Sequence, residues 1–219
     1  MKKLIYLATS LAILLMVLQA CARIKVVRAN IDTQLSGHEL IVKTCSACHG
    51  LDGNSISPQF PKLANQQRDY IEAQLQEFKG HSRVDKDGVT YMWGMARLNA
   101  KQIGEISEYY SHQRVFADQA NTDSVSRQRG QQVFENGIGD KNVPACASCH
   151  GDQGRGNGVI PRIAGQHQVY LEKQIRVFKI SEDRPRGVAM KYVVHQLSDQ
   201  DITDVTEFLS TMQSEQSLD

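Results

Sequence analysis

Cys45-Ser46-Ala47-Cys48-His49-Gly50 recurs 101 residues later as Cys146-Ala147-Ser148-Cys149-His150-Gly151. Each copy places two cysteines three positions apart, and a histidine follows the second cysteine directly. Further matches lie downstream at an offset of 100 residues: Phe60-Pro61-Lys62-Leu63-Ala64 with Ile160-Pro161-Arg162-Ile163-Ala164, and Tyr70, Gln74, Phe78 and Lys79 with Tyr170, Gln174, Phe178 and Lys179. This repeat predicts two equivalent units that differ by one deletion in a surface loop.

The apolar spacing in both halves is helical. Middle helices are predicted at 66–80 and 166–180, where apolar residues recur every three or four positions. A terminal helix should begin at the Asn99 cap, and another at the Ser198–Asp201 capping box. We therefore expect an all-α fold of two tandem domains. The first covers residues 31–112 and the second 124–214, and a polar linker, 113–123, joins them.

The two motifs supply what covalent haem attachment requires. Two cysteines on one helical turn reach the two vinyl groups on an edge of the porphyrin, and the adjacent histidine reaches the iron from one face. The expected cofactors are two covalently bound haem c groups. Thioethers would come from Cys45, Cys48, Cys146 and Cys149, and the axial ligands would be His49 and His150.

Other uses of paired cysteines account for the pattern less well. A four-cysteine zinc ribbon has its pairs ~15–20 residues apart, much closer than here, and a thioredoxin-like pair follows a strand in an α/β pattern. Disulfides leave the adjacent histidine unexplained in both copies.

The second axial ligand determines what the iron can do. A His/Met pair closes the iron to small ligands, raises its potential and suits electron transfer. Met190 is the one methionine between the second motif and its terminal helix. In the first half we expect Met92 as ligand, with Met95 as the alternative. His195 lies close enough to Met190 to make a His/His haem the alternative there.

A proline follows each axial histidine, Pro61 after twelve residues and Pro161 after eleven. Its backbone carbonyl could accept a hydrogen bond from the second ring nitrogen and fix the orientation of the imidazole. The alternative is a simple turn. Arginines such as Arg83 and Arg176 could pair with haem propionates, but a solvated position is the ordinary expectation for each.

The N-terminus has the pattern of an export signal over residues 1–22. Lys2 and Lys3 precede an apolar run that is short for a membrane span, and small residues follow it. Cleavage after Ala22 and lipidation of Cys21 are alternatives; lipidation or an uncleaved signal would tether the protein to the membrane. The formal charge of +1, from 25 basic and 24 acidic residues, indicates no nucleic-acid partner.

The chain resembles the dihaem cytochrome c₄ family from about residue 36 to 212. The resemblance rests on the two motifs, on Asp52-Gly53-Asn54, on Met92-Trp93-Gly94-Met95, on Ala164-Gly165-Gln166-His167, and on Met190 before Leu197. It implies two class I cytochrome c folds packed through their haem faces, and it favours Met92. Three departures are Asn65 in place of the glycine found at Gly165, one residue fewer between Met92 and Leu98, and the Cys21 lipidation site, which would make this a tethered relative.

The predicted function is that of an electron carrier and not an enzyme. The resemblance implies a periplasmic or membrane-associated carrier. Its redox partners would be a quinol-oxidising complex or a dehydrogenase as donor and a terminal oxidase as acceptor. Two alternatives remain: a cytochrome subunit docked on a dehydrogenase, and a dihaem peroxidase, which needs an open sixth position on one iron.

Overall fold

Helices make up the regular structure of residues 34–119 and 124–213, the part of the chain that the computed structural model describes. The expected signal segment and Cys21 lie outside these residues. The described residues of the N-terminal half contain α1 (Gly37–Leu40), a π-helix (Ile41–Cys45), α2 (Ser46–His49), α3 (Arg68–Lys79), a second π-helix (Gly88–Met92) and α4 (Ala100–Ser111).

The described residues of the C-terminal half contain α5 (Val125–Asn136), a 3₁₀ turn (Gly139–Lys141), α6 (Ala147–His150), α7 (Gln168–Ile180), a second 3₁₀ turn (Pro185–Gly187), α8 (Val188–Val194) and α9 (Asp199–Thr211). Across both described stretches, pairing between strands is limited to two isolated bridges. No helix there is long and apolar enough to cross a membrane. The predicted all-α class is confirmed.

The predicted helix starts are confirmed in atomic detail. The Asn99 side chain accepts from the backbone N–H of Gln102, and the Gln102 side chain accepts from Asn99 N–H, which completes a capping box on α4. Ser198 and Asp201 do the same for α9. Each box satisfies two of the four backbone donors that a helix start leaves unpaired.

A glycine allows the first and last helices of each half to approach closely. A Cβ atom on Gly37 would lie 2.5 Å from Cβ of Glu105, so α1 can contact α4 here only through a residue without a side chain. A Cβ on Gly130 would collide with the backbone of Asp204, where α5 crosses α9. Close packing of helix backbones therefore depends on these two positions.

The loops that follow the motifs fold alike in both halves. Leu63 donates to the Gly53 carbonyl at 2.8 Å, and Ile163 donates to the Gly154 carbonyl at 2.8 Å. Asn65 has a φ of 53°, and Gly165 has a φ of 68°. The replacement of glycine by asparagine therefore keeps the left-handed conformation, which asparagine tolerates better than other side chains do.

The stretch predicted as a linker packs closely where the structure describes it, at residues 113–119. Val115 is buried, the Lys62 ammonium donates to the Phe116 carbonyl at 2.7 Å, and Asp118 N–H donates to the Ser210 carbonyl at 2.9 Å. The segment therefore contacts both halves, although its polar composition alone indicates an exposed tether.

Candidate functional site

Each Cys-x-x-Cys-His motif forms a short helical turn in the structure. In the first copy the turn is α2, which follows the π-helix that ends at Cys45, and the second copy is α6. Cys45 and Cys146 are half-buried, whereas Cys48 and Cys149 are exposed. The same pattern of exposure in both copies means that the two motifs present their sulfurs alike.

The two motif histidines are buried, and the predicted proline carbonyls orient their rings. His49 Nδ1 donates to the Pro61 carbonyl at 2.9 Å, and His150 Nδ1 donates to the Pro161 carbonyl at 2.8 Å. A carbonyl can only accept, so the proton of each neutral ring is on Nδ1 and the lone pair of Nε2 is left to ligate. Burial lowers the pKa of both histidines despite these hydrogen bonds, which favours the neutral form that binds iron.

None of the four motif cysteines forms a disulfide within residues 34–119 and 124–213, so all four sulfurs remain available for thioether bonds to haem. Before haem is attached, burial raises the pKa of Cys45 to about 11 and that of Cys146 to about 11, which holds both sulfurs as neutral thiols at neutral pH. No group of three or more His, Cys, Asp or Glu residues that could hold a metal ion occurs in residues 34–119 and 124–213.

The methionines differ in how they are held. Met92 ends the second π-helix, is half-buried, and its carbonyl accepts from the backbone of Met95 and Ala96. The Met95 side chain is 47% exposed. Met190 lies in α8 and packs against the same apolar cluster as Cys146, whereas His195 is exposed.

These donor sets fit iron that is already held by a macrocycle. Each half offers one buried imidazole, two cysteine sulfurs outside any disulfide and a half-buried methionine thioether. Several large apolar side chains close in the chain to the motifs, the methionines or Pro161 are exposed, as expected where an apolar group packs. They are Val42, Leu51, Val89 and Tyr91 in the first half, and Val159, Ile160 and Val188 in the second.

The family is decided by comparison with known proteins. A family model described as cytochrome c matches residues 35–113 and 127–213, which is most of the chain. This chain belongs to the cytochrome c family. Its similarity to dihaem cytochromes c₄ confirms the resemblance, and the protein is accordingly a dihaem c-type cytochrome, an electron carrier with two covalent haem c groups.

The relatives of this cytochrome span most of its length. Cytochrome c₄ of Stutzerimonas stutzeri is 35% identical over 178 residues, covering 77% of this chain and 84% of the relative. The crystal structure of reduced cytochrome c₄ from Pseudomonas stutzeri superposes with a TM-score of 0.73 at 34% identity, covering 81% of this chain and 97% of that one. A protein of Thiomonas intermedia named thiosulfate dehydrogenase electron acceptor is 31% identical over 140 residues, covering 62% of this chain and 63% of that protein.

The sequence did not reveal a buried polar cluster that joins the two halves of this cytochrome. Arg83 was expected in solvent, but it is buried and donates to Asp85 at 2.5 Å, to Gln74 at 2.6 Å and to Gln174 at 3.3 Å. Arg184, its counterpart, donates to Gln174 at 2.5 Å, to Gln74 at 3.1 Å and to Tyr70. The signal was present in the repeat, which keeps Gln74 and Gln174 as identical polar residues on two otherwise apolar helix faces.

Arg176 is exposed, as expected, and pairs with Asp199. His167 of the second half is buried against the first half. Its Nε2 lies 2.9 Å from the hydroxyl of Ser55.

Proposed function

We propose that the first haem is bound by Cys45 and Cys48 and ligated by His49 and Met92. The second is bound by Cys146 and Cys149 and ligated by His150 and Met190. The observation that carries this proposal is the equivalent hydrogen bond from each buried histidine to a proline carbonyl, at 2.9 and 2.8 Å. Met92 is preferred to Met95 because a ligand has to be sheltered from water, and Met95 is about half exposed.

In this assignment the haem iron supplies the one-electron chemistry, and the chain supplies its ligands and its surroundings. An imidazole on one face and a thioether on the other leave no open position for peroxide. Burial favours the neutral form of each histidine by lowering its pKa, and the proline carbonyl holds the ring in the correct orientation. Covalent attachment through the thioethers prevents loss of the haem outside the cell membrane.

We further propose that the protein carries electrons in the periplasm, tethered there if Cys21 is lipidated. Its donor would be a quinol-oxidising complex or a dehydrogenase and its acceptor a terminal oxidase. A second candidate, an acceptor dedicated to a dehydrogenase, is supported by the similarity to the thiosulfate dehydrogenase electron acceptor of Thiomonas intermedia.

The ligand proposal is tested by an optical redox titration of the mature protein. Two low-spin c-type haems with methionine–iron charge-transfer absorption are expected. A high-spin haem that turns over peroxide would overturn the proposal.

The two partner proposals are separated by kinetics. Reduced protein is mixed with membranes that contain terminal oxidase, and oxidised protein is mixed with an exported thiosulfate dehydrogenase and thiosulfate. Rapid, cyanide-sensitive oxidation supports the oxidase proposal. Rapid reduction in the second mixture, with no oxidation in the first, would contradict it and favour the dedicated acceptor.

A further inference from the structure

The two axial histidines are connected to the opposite halves of the molecule by matching hydrogen bonds. The carbonyl of the Pro61–Lys62 peptide accepts from His49, and the N–H of the same peptide donates to Oε1 of Gln166 at 2.8 Å. In the other half, the carbonyl of the Pro161–Arg162 peptide accepts from His150, and its N–H donates to Oε1 of Gln66 at 2.7 Å.

The glutamines are built into this position. Gln66 is 5% exposed and Gln166 is 3% exposed. Gln166 Nε2 donates back to the Lys62 carbonyl at 3.0 Å, and Gln66 Nε2 donates to the Arg162 carbonyl at 3.0 Å. Each Oε1 also accepts from the backbone N–H of the next residue in its own half, which fixes the side-chain rotamer.

From this arrangement we infer that Gln166 tunes the reduction potential of the first haem and Gln66 that of the second, each from the opposite half of the chain. Both are positioning residues, and the inference rests on the proposed ligation by His49 and His150. A peptide whose N–H is hydrogen-bonded has a more polarised carbonyl, because hydrogen bonds in series strengthen one another.

The direction of the effect follows from that polarisation. A stronger acceptor at the Pro61 carbonyl draws the Nδ1 proton of His49 and makes the imidazole a more basic ligand. A more basic ligand stabilises ferric iron, so Gln166 holds the first potential down. Because the bonds cross between halves, each potential depends on the docking of the other half.

The test replaces each glutamine separately, as Gln166→Leu and Gln66→Leu. The two midpoint potentials are followed through the haem-methyl NMR signals of the ferric protein, assigned to each half. Gln166→Leu should shift the first potential upwards and leave the second unchanged, and Gln66→Leu should do the reverse. A shift in the glutamine's own half, equal shifts in both, or no shift would each overturn the inference.

The matched control is Gln67→Leu. Gln67 also bonds across the junction, to the Arg155 carbonyl at 2.8 Å, but it does not touch either proline peptide. The Gln67→Leu substitution should leave both midpoint potentials unchanged. A potential shift as large as that caused by Gln166→Leu would count against the inference.

If the leucine variants do not fold, the unbranched Gln166→Met and Gln66→Met replace them. Amide hydrogen exchange of the unaltered protein gives an independent reading. The N–H groups of Lys62 and Arg162 should be strongly protected, and exchange at unprotected rates would overturn the inference. Potentials are compared only in proteins that keep the methionine–iron absorption, so that a failure of the ligand assignment is recognised separately.

Discussion

At the scale of single residues, the first-half sulfur ligand can be decided by two matched substitutions. Met92→Ala should remove about half of the methionine–iron charge-transfer absorption, since one of the two haems loses its sixth ligand. Met95→Ala should leave that absorption unchanged, because the Met95 side chain is 47% exposed. The measurement is the optical absorption spectrum of each oxidised variant, recorded at the red end of the visible range.

Met190→Ala is the corresponding change in the second half. It should remove the part of the methionine–iron absorption that the second haem contributes. The double variant, Met92→Ala with Met190→Ala, should lose it entirely. Full absorption in Met92→Ala and half in Met95→Ala would transfer the ligand role to Met95.

At the scale of helices, the crossing of α5 and α9 depends on Gly130. A methyl group there would meet the backbone of Asp204, which cannot move aside, so Gly130→Ala should destabilise the protein by about 3 kcal/mol. Apart from its chain neighbours and the backbone of its own helix, Gly104 in the middle of α4 has no atom within 4 Å of where its Cβ would lie. Gly104→Ala should therefore stabilise by about 0.5–1 kcal/mol through helix propensity. Denaturant unfolding checks both, and equal effects would contradict the close-contact argument.

The same helix pair carries an acid-sensitive contact. Burial raises the pKa of Asp204, but hydrogen bonds from Arg129, Ser126 and Gln200 outweigh it and hold the pKa below its ordinary value. A carboxylate with a lowered folded-state pKa stabilises the fold above its unfolded-state pKa of about 4, and this contribution is lost as the pH falls through the folded-state value.

Asp204→Asn should consequently be less stable than the unaltered protein at pH 7, and the difference should disappear at acidic pH. Unfolding curves measured from pH 7 down to pH 2 test this. Asp140→Asn, at an exposed position, is the control. A stability difference that stays constant over the whole range would show that the Asp204 contacts do not depend on its charge.

Local features were predictable because they depend on residues close together in the chain. The caps at Asn99 and Ser198 follow from three-residue spacing, and the carbonyl contacts of Pro61 and Pro161 follow from the repeat. The burial of Arg83 was not predictable from its near neighbours Asp85 and Gln74 alone, because the arginine lies where the two halves meet and also donates to Gln174, 91 residues away. Apolar periodicity describes one helix face at a time and contains no information about which faces of two domains meet.

At the scale of the whole molecule, the junction between the halves consists of buried polar groups, so its strength depends on complete pairing. Arg162 is its most deeply placed cation, at 2% exposure, and burial lowers the pKa of this guanidinium to about 10, which still leaves it charged at pH 7. It has no carboxylate partner in the described chain. Instead it donates to the Asn65 carbonyl at 3.2 Å, to the Lys62 carbonyl at 3.1 Å and to the Ala164 carbonyl.

Arg162→Leu should therefore cost about 3 kcal/mol, because carbonyls from both halves lose a charged donor and remain buried. Unfolding followed separately by helical circular dichroism and by haem absorption should give coincident curves in the unaltered protein and separated curves in the variant, since the halves no longer stabilise each other. Arg176→Ala removes an exposed arginine and should change stability by no more than about 0.5 kcal/mol. If Arg162→Leu matches that control, the halves are held together by contacts other than this buried guanidinium.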